Sequence, residues 1–191
     1  MLPLARLPPR KSPRRGPPTR LPARVHSFPA VIDARTRIMI LGSMPGIASL
    51  DARQYYAHPR NQFWRLMGDI GAAGPELPYR QRLQALLAHG VGLWDVLHSC
   101  VRDGSLDAAI DQRSAVANDL LPLLRTSPVI RLCCNGNSAY AALQRHFGQP
   151  LATEFSYIDI RRLPSTSPAN AGLRYADKLA AWRIALAPAP R

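Results

Sequence analysis

The 191-residue sequence predicts an α/β fold: a three-layer α/β/α sandwich with a central four-stranded parallel sheet. Three observations predict it. Short runs rich in apolar residues recur along the chain, as strands covered on both faces require. Helical patterns lie between those runs, and strand alternating with helix is how parallel sheets are built. The residues with the most chemical capacity fall just after the runs, at the strand ends where open parallel sheets bind ligands.

The elements follow in chain order. Residues 1–24 hold Lys11 and six arginines without an acid, so they carry +7 of the formal +13 charge, and they hold seven of the 19 prolines. Such a segment cannot bury enough apolar surface to offset its ordering entropy, so a disordered basic arm is expected there, followed by one domain over 25–191. The arm lacks the apolar stretch of a secretory signal, and its prolines argue against an amphipathic transit helix. The first strand is expected over 37–42. Phe63, Leu66, Met67 and Ile70 recur at i, i+3, i+4 and i+7 on one helical face, and Leu83, Leu86 and Leu87 form a shorter stripe. A second strand is expected over 90–96. Leu120, Leu121 and Leu124 end a helix that Pro128 prevents from continuing, and a third strand is expected over 128–134. Tyr140, Leu143 and Phe147 mark a helix with Gly148 at its C-terminus. The fourth run, 155–160, alternates Phe155, Tyr157 and Asp159 against Ser156, Ile158 and Ile160, which suits a sheet edge. Tyr175, Leu179, Trp182 and Leu186 build the last helix, before Pro188 and Pro190.

Composition narrows the function classes. A strongly basic chain favours acidic partners, nucleic acid first, and says nothing about fold. No apolar run nears the length of a membrane span, so a soluble, cytoplasmic protein without a membrane partner is expected. Cys100, Cys133 and Cys134 have no zinc-ligand spacing and are too few for a four-thiolate cluster, so neither metal nor other cofactor is expected. Cys133 and Cys134 are adjacent in an expected strand and should point to opposite faces, as buried thiols in a reducing compartment.

Four segments carry the chemistry. Gly42-Ser43-Met44-Pro45-Gly46 is a tight turn after the first strand whose backbone can approach a ligand closely, or an ordinary strand-to-helix loop. It is not a phosphate-binding P-loop, because no Gly-Lys-Ser/Thr follows. Gln54 to Trp64 then brings two tyrosines, His58, Arg60 and Asn61 ahead of an amphipathic helix. Aromatic faces stack on nucleobases. Asn61 offers a donor and an acceptor, suited to a base edge or an oriented water, and equally to capping the helix led by Phe63. Asn135-Gly136 ends the third strand, where Asn135 reads a base or simply forms a turn. Ser165, Thr166 and Ser167 follow the fourth strand, as phosphate contacts or as helix-capping hydroxyls.

Taken together, these segments resemble the uracil-DNA glycosylase superfamily, most of all its hypoxanthine-DNA glycosylase branch, with similarity to mismatch-specific uracil and thymine-DNA glycosylases. The resemblance spans about residues 37–187. Gly42 to Gly46 looks like the family's first motif, and Ala57 to Trp64 is similar to the most specific signature. Asn135-Gly136 is similar to a third, and Leu163 to Ser167 to the last, whose loop pinches phosphates and wedges into the gap left by a flipped base. Two positions depart: many relatives place Asp or Asn where this chain has Met44, and several place His or Asn where it has Leu163. The branch is known for relying on the Asn that matches Asn61.

The resemblance implies a monomeric, monofunctional DNA repair glycosylase. It would extrude a deaminated base from DNA and hydrolyse the N-glycosidic bond, leaving an abasic site. Hypoxanthine is the implied substrate and uracil a second. Asn61 and Asn135 are the implied catalytic residues. Gly42, Met44, Pro45, Gly46, Ser49, Tyr56 and His58 would line the base, and Arg60, Ser165, Thr166 and Ser167 would meet DNA. An Asn has no usable pKa near neutrality, so Asn61 would hold water rather than deprotonate it. The rival readings are an enzyme acting chiefly on uracil and a catalytically silent DNA-binding relative.

Overall fold

Every residue of Ile38–Gly42 and of Val91–Asp95 is buried, the condition that a layer of structure on each face imposes on a parallel strand. The computed structural model describes residues 24–170 and 172–187. The arm expected over 1–24 therefore lies outside the described residues, apart from Arg24, which opens a strand. In chain order the strands are β1 (Arg24–His26), β2 (Ile38–Gly42), β3 (Val91–Asp95), β4 (Leu97–Arg102), β5 (Ile110–Ala117), β6 (Arg131–Asn135) and β7 (Asp159–Leu163). The helices are α1 (Ile47–Ala52), α2 (Phe63–Ile70), α3 (Tyr79–Ala88), α4 (Leu120–Thr126), α5 (Asn137–Thr153) and α6 (Tyr175–Leu186).

The central sheet has the expected four parallel strands, in the order β3-β2-β6-β7. Side chains alternate across it and feed two cores. Met39, Leu41, Leu132 and Cys134 pack with α4 and α5 on one face. Ile38, Ile40, Leu93 and Cys133 pack with α2, α3 and α6 on the other. Cys133 and Cys134 thus divide between the faces as expected. Both are free thiols, and burial pushes each up to about 12.

Three expectations need correction. A second sheet, antiparallel and ordered β1-β4-β5, was not foreseen; it packs Val25, Ala115 and Ala117 against the first core. The fourth strand runs Asp159–Leu163 rather than 155–160, although it does lie at a sheet edge. Phe155 and Ile158 are buried ahead of it, and Arg131 and Arg161 both pair with Asp159 at 2.8 Å where the strand begins. Finally, α5 does not stop at Gly148 but continues through Pro150 to Thr153. Gly148 does not adopt the left-handed conformation of a C-cap, and buried Leu151 holds the extra turn on the core.

Candidate active site

The carboxyl ends of β2, β3 and β6 and the loop after β7 open into one cleft of about 420 Å³, within the roughly 300–1,000 Å³ range of small-ligand sites. Each residue singled out from the sequence lines it, from Gly42 to Ser167. Gly42 is the last residue of β2 and faces Asp95, the last of β3. A methyl group at Gly42 would collide with Asp95 Oδ1. Met44 is buried and presents an apolar surface where a carboxylate or amide would alter the chemistry. The backbone N–H groups of Met44 and Gly46 donate to no acceptor among the described residues. Arg102, buried on β4, holds the turn from below by donating from Nη2 to Pro45 O at 2.5 Å.

The next segment folds back over this turn. Ser49 is buried, and its hydroxyl accepts from Ala57 N–H at 3.2 Å, so it clamps the loop while lining the cleft. Tyr56 sits at φ 56°, a conformation that costs a non-glycine residue of order 1–3 kcal/mol. That turn lays its ring on Phe63, with centroids 3.9 Å apart and planes at 22°. One ring face is covered by Phe63. The hydroxyl is buried with no hydrogen-bond partner among the described residues, and burial, then the charge of Asp95, push its pKa above the usual tyrosine value.

Asn61 is not the N-cap of α2, which is Gln62. Its Oδ1 accepts from Phe63 N–H at 3.0 Å in an Asx-type turn leading into the helix, while the residue also lines the cleft. A carbonyl oxygen has two lone pairs, so one remains for water. His58 Nδ1 accepts from Arg60 N–H at 3.1 Å, which leaves Nε2 as the ring nitrogen free to donate. Arg60 is exposed at the rim.

Asn135 and the last loop are bound to each other. Asn135 Nδ2 donates to Thr166 Oγ1, and Thr166 N–H donates to Asn135 Oδ1, both at 2.9 Å. Gly136 stands at φ 98°, and a Cβ there would lie 2.8 Å from Ser165 Cβ, so glycine lets the loop sit this close. Thr166 was expected to meet phosphate. It is instead fully buried at 0% exposure, with its hydroxyl engaged by Asn135, and it anchors the loop. Ser165 and Ser167 are partly exposed and remain available.

Four residues of this region were not singled out from the sequence. Lys178 is buried on α6 and donates to Gln62 Oε1 at 3.0 Å and Asn170 O at 2.7 Å. It ties the second segment to the last loop, and burial holds its pKa below the usual lysine value. Asp107 overhangs the cleft from the β4–β5 connection and accepts from the Ser43 hydroxyl at 2.7 Å. Arg102 is the third. Asp95 is the fourth, at the cleft floor, and burial pushes its carboxyl up to about 8. The available signal for Asp95 was an acid closing an apolar strand at its carboxyl end. Among the described residues, no group of three or more His, Cys, Asp or Glu is placed to hold a metal, and no helix is long and apolar enough to cross a membrane.

Comparison with known proteins adds to this geometry. A family model described as the uracil DNA glycosylase superfamily matches residues 29–186. A hypoxanthine DNA glycosylase of Methanosarcina acetivorans is 40% identical over 147 residues, covering 75% of this chain and 86% of that protein. One of Methanosarcina barkeri is 43% identical over 103 residues, or 51% of this chain and 65% of that protein. A solution NMR structure of a candidate uracil DNA glycosylase from Methanosarcina acetivorans matches with a TM-score of 0.72 and 32% identity, over 86% of this chain and 97% of that one.

Proposed function

The chain belongs to the uracil DNA glycosylase superfamily and is a DNA N-glycosylase, and we propose that its substrate is hypoxanthine in DNA, with uracil a secondary one. The observation that carries this reading is the convergence of loops from four strand ends on one cleft, lined by Tyr56, His58 and Asn61 together with Asn135 and Ser165–Ser167. The names of two relatives at 40% and 43% identity support hypoxanthine.

An extruded base would enter the cleft beside Tyr56. Asn61 would hold a water against the sugar carbon through the free lone pair of Oδ1, and the bond from Phe63 N–H would fix the orientation of that amide. Since an amide cannot remove a proton at neutral pH, the C–N bond would break first. The oxocarbenium-like sugar would then capture the held water. The N–H groups of Met44 and Gly46 would donate to charge developing on the base, and His58 Nε2–H is a further donor in reach of the cleft. Arg60, Ser165 and Ser167 would meet the DNA backbone. The basic arm would add contacts to phosphate that read no sequence. The protein would work as a monomer in the cytoplasm.

An abasic-site assay on duplexes carrying inosine or uracil tests the proposal. Inosine should be cleaved the faster. Cleavage of uracil alone would favour the second reading, which the likeness to a candidate uracil DNA glycosylase supports. Salt-sensitive binding with no abasic product on either duplex would identify a silent DNA-binding relative.

A further inference from the structure

Asp95 is a buried acid that the mechanism above leaves unused. It is 4% exposed, yet it lines the cleft. Its Oδ2 is buried without a hydrogen-bond partner among the described residues, and no side chain or backbone group there donates to either carboxyl oxygen. A buried carboxylate ordinarily gathers donors, and leaving one without them is costly. A neutral acid has no such need, and it carries a proton to give. Gly42 is the reason the carboxyl can stand there, because any side chain at that position would strike Oδ1.

We infer that Asp95 enters catalysis protonated and donates its proton to the departing base. The inference rests on the glycosylase reading. As the glycosidic C–N bond breaks, its electron pair moves onto the base, and the carboxyl proton transfers to a lone pair of that base, which leaves neutral. Water then adds to the sugar carbon and releases one proton, which restores the acid. Met44 leaves the first loop without an acid, and the neighbouring strand brings one to the same cleft in a different protonation state.

The surroundings suit this cycle. Burial is the main cause of the raised pKa, the negative charge of Asp107 in the β4–β5 connection adds to it, and Arg102 on β4 opposes both. Arg102 Nε and Nη1 are themselves buried without partners among the described residues, so an uncommitted positive charge is available to the carboxylate formed in the reaction. Tyr55, Tyr56 and Tyr79 complete the titratable groups that sense Asp95. A folded-state pKa near 8 lies above the unfolded value of roughly 3.9. Its contribution to stability is therefore complete below that lower value and is lost as pH rises through about 8.

The test compares wild type with Asp95→Asn in single-turnover base release from inosine DNA between pH 6 and 9.5. Asn keeps the shape and a hydrogen-bond donor but has no proton to transfer. Its rate at pH 7 should fall roughly tenfold to thirtyfold, below the full range for a lost general acid because the donor remains. The wild-type rate should decline above about pH 8, and that decline should vanish in the variant. The base titrates identically in both reactions, so a decline that persists unchanged in the variant overturns the inference. A variant as fast as wild type at pH 7 overturns it too. Melting temperature supplies a readout without catalysis: the variant should gain on wild type between pH 5 and pH 8, and a constant gap counts against a protonated Asp95. Gly42→Ala, which would displace the carboxyl without removing it, should reproduce the loss of rate; full activity there contradicts the inference. A wild type that releases no base sinks the glycosylase reading itself, whereas an active wild type with an indifferent Asp95 sinks only this step.

Discussion

Replacing Asn61 with Ala is expected to lower single-turnover base release from inosine DNA by on the order of 10²–10³-fold, the range for removing one preorganised polar group from a transition state. Stability should change far less. The substitution removes the Asn61–Phe63 hydrogen bond ahead of α2, and losing one such bond costs about 1 kcal/mol. Aromatic packing keeps the helix in place, because Phe63 lies between Tyr56 and Trp182 and is wholly buried. Asn61→Ser separates the two duties, since its shorter hydroxyl can keep the bond to Phe63 N–H but lacks the amide that would hold the water. It should melt like wild type and still cleave slowly. Near-normal cleavage by the Ala variant, with melting lowered by the lost bond to Phe63 alone, would reduce Asn61 to a structural residue.

Asn135→Ala should be the most damaging single change to the last loop. Both atoms of its amide are engaged by Thr166, at 2.9 Å each. Removing it leaves the N–H and hydroxyl of a fully buried residue unmatched, and each unmatched group costs roughly 1–3 kcal/mol. The expected outcome is destabilisation of about 2–4 kcal/mol, on the same basis, together with a large fall in base release. Thr166→Val apportions the effect. It removes the hydroxyl but keeps the bond from its N–H to Asn135 Oδ1. If Asn135 also touches the base, Thr166→Val should retain most of the chemical rate while Asn135→Ala loses about a hundredfold. Equal losses in the two variants would mean that Asn135 acts through the loop alone. Chemical denaturation beside single-turnover kinetics makes the comparison.

The central sheet was legible because strands buried on both faces must be apolar throughout, and Ile38 to Leu41 or Leu132 to Cys134 satisfy that condition locally. The cleft was legible for a related reason: a parallel sheet gathers its strand ends on one side, so unusual residues after separate strands converge. The small antiparallel sheet left no comparable trace. Only Val96 separates β3 from β4, and half of β5 is polar with every residue after Ile110 at least partly exposed, which reads as loop. Residue type also cannot reveal burial. Thr166 looks like a surface hydroxyl and is an anchor, while Asp95 looks like a strand-terminal acid and is sealed into the cleft floor. Lys178 was hidden in the polar part of a helical pattern because its partners are a side-chain amide and a main-chain carbonyl outside α6, while the neighbouring Asp177 pairs with Arg174 instead.

The back-to-back cysteines of β6 have a practical consequence. One thiol belongs to each core, and neither is exposed in the native fold. Only a deprotonated sulfur that solvent can reach attacks an alkylating reagent. Labelling followed by peptide mass analysis would therefore time the opening of the two sides of the sheet separately. Equal modification rates at Cys133 and Cys134 would reveal one cooperative unit, and unequal rates would show which helical layer lifts first when damaged DNA is absent.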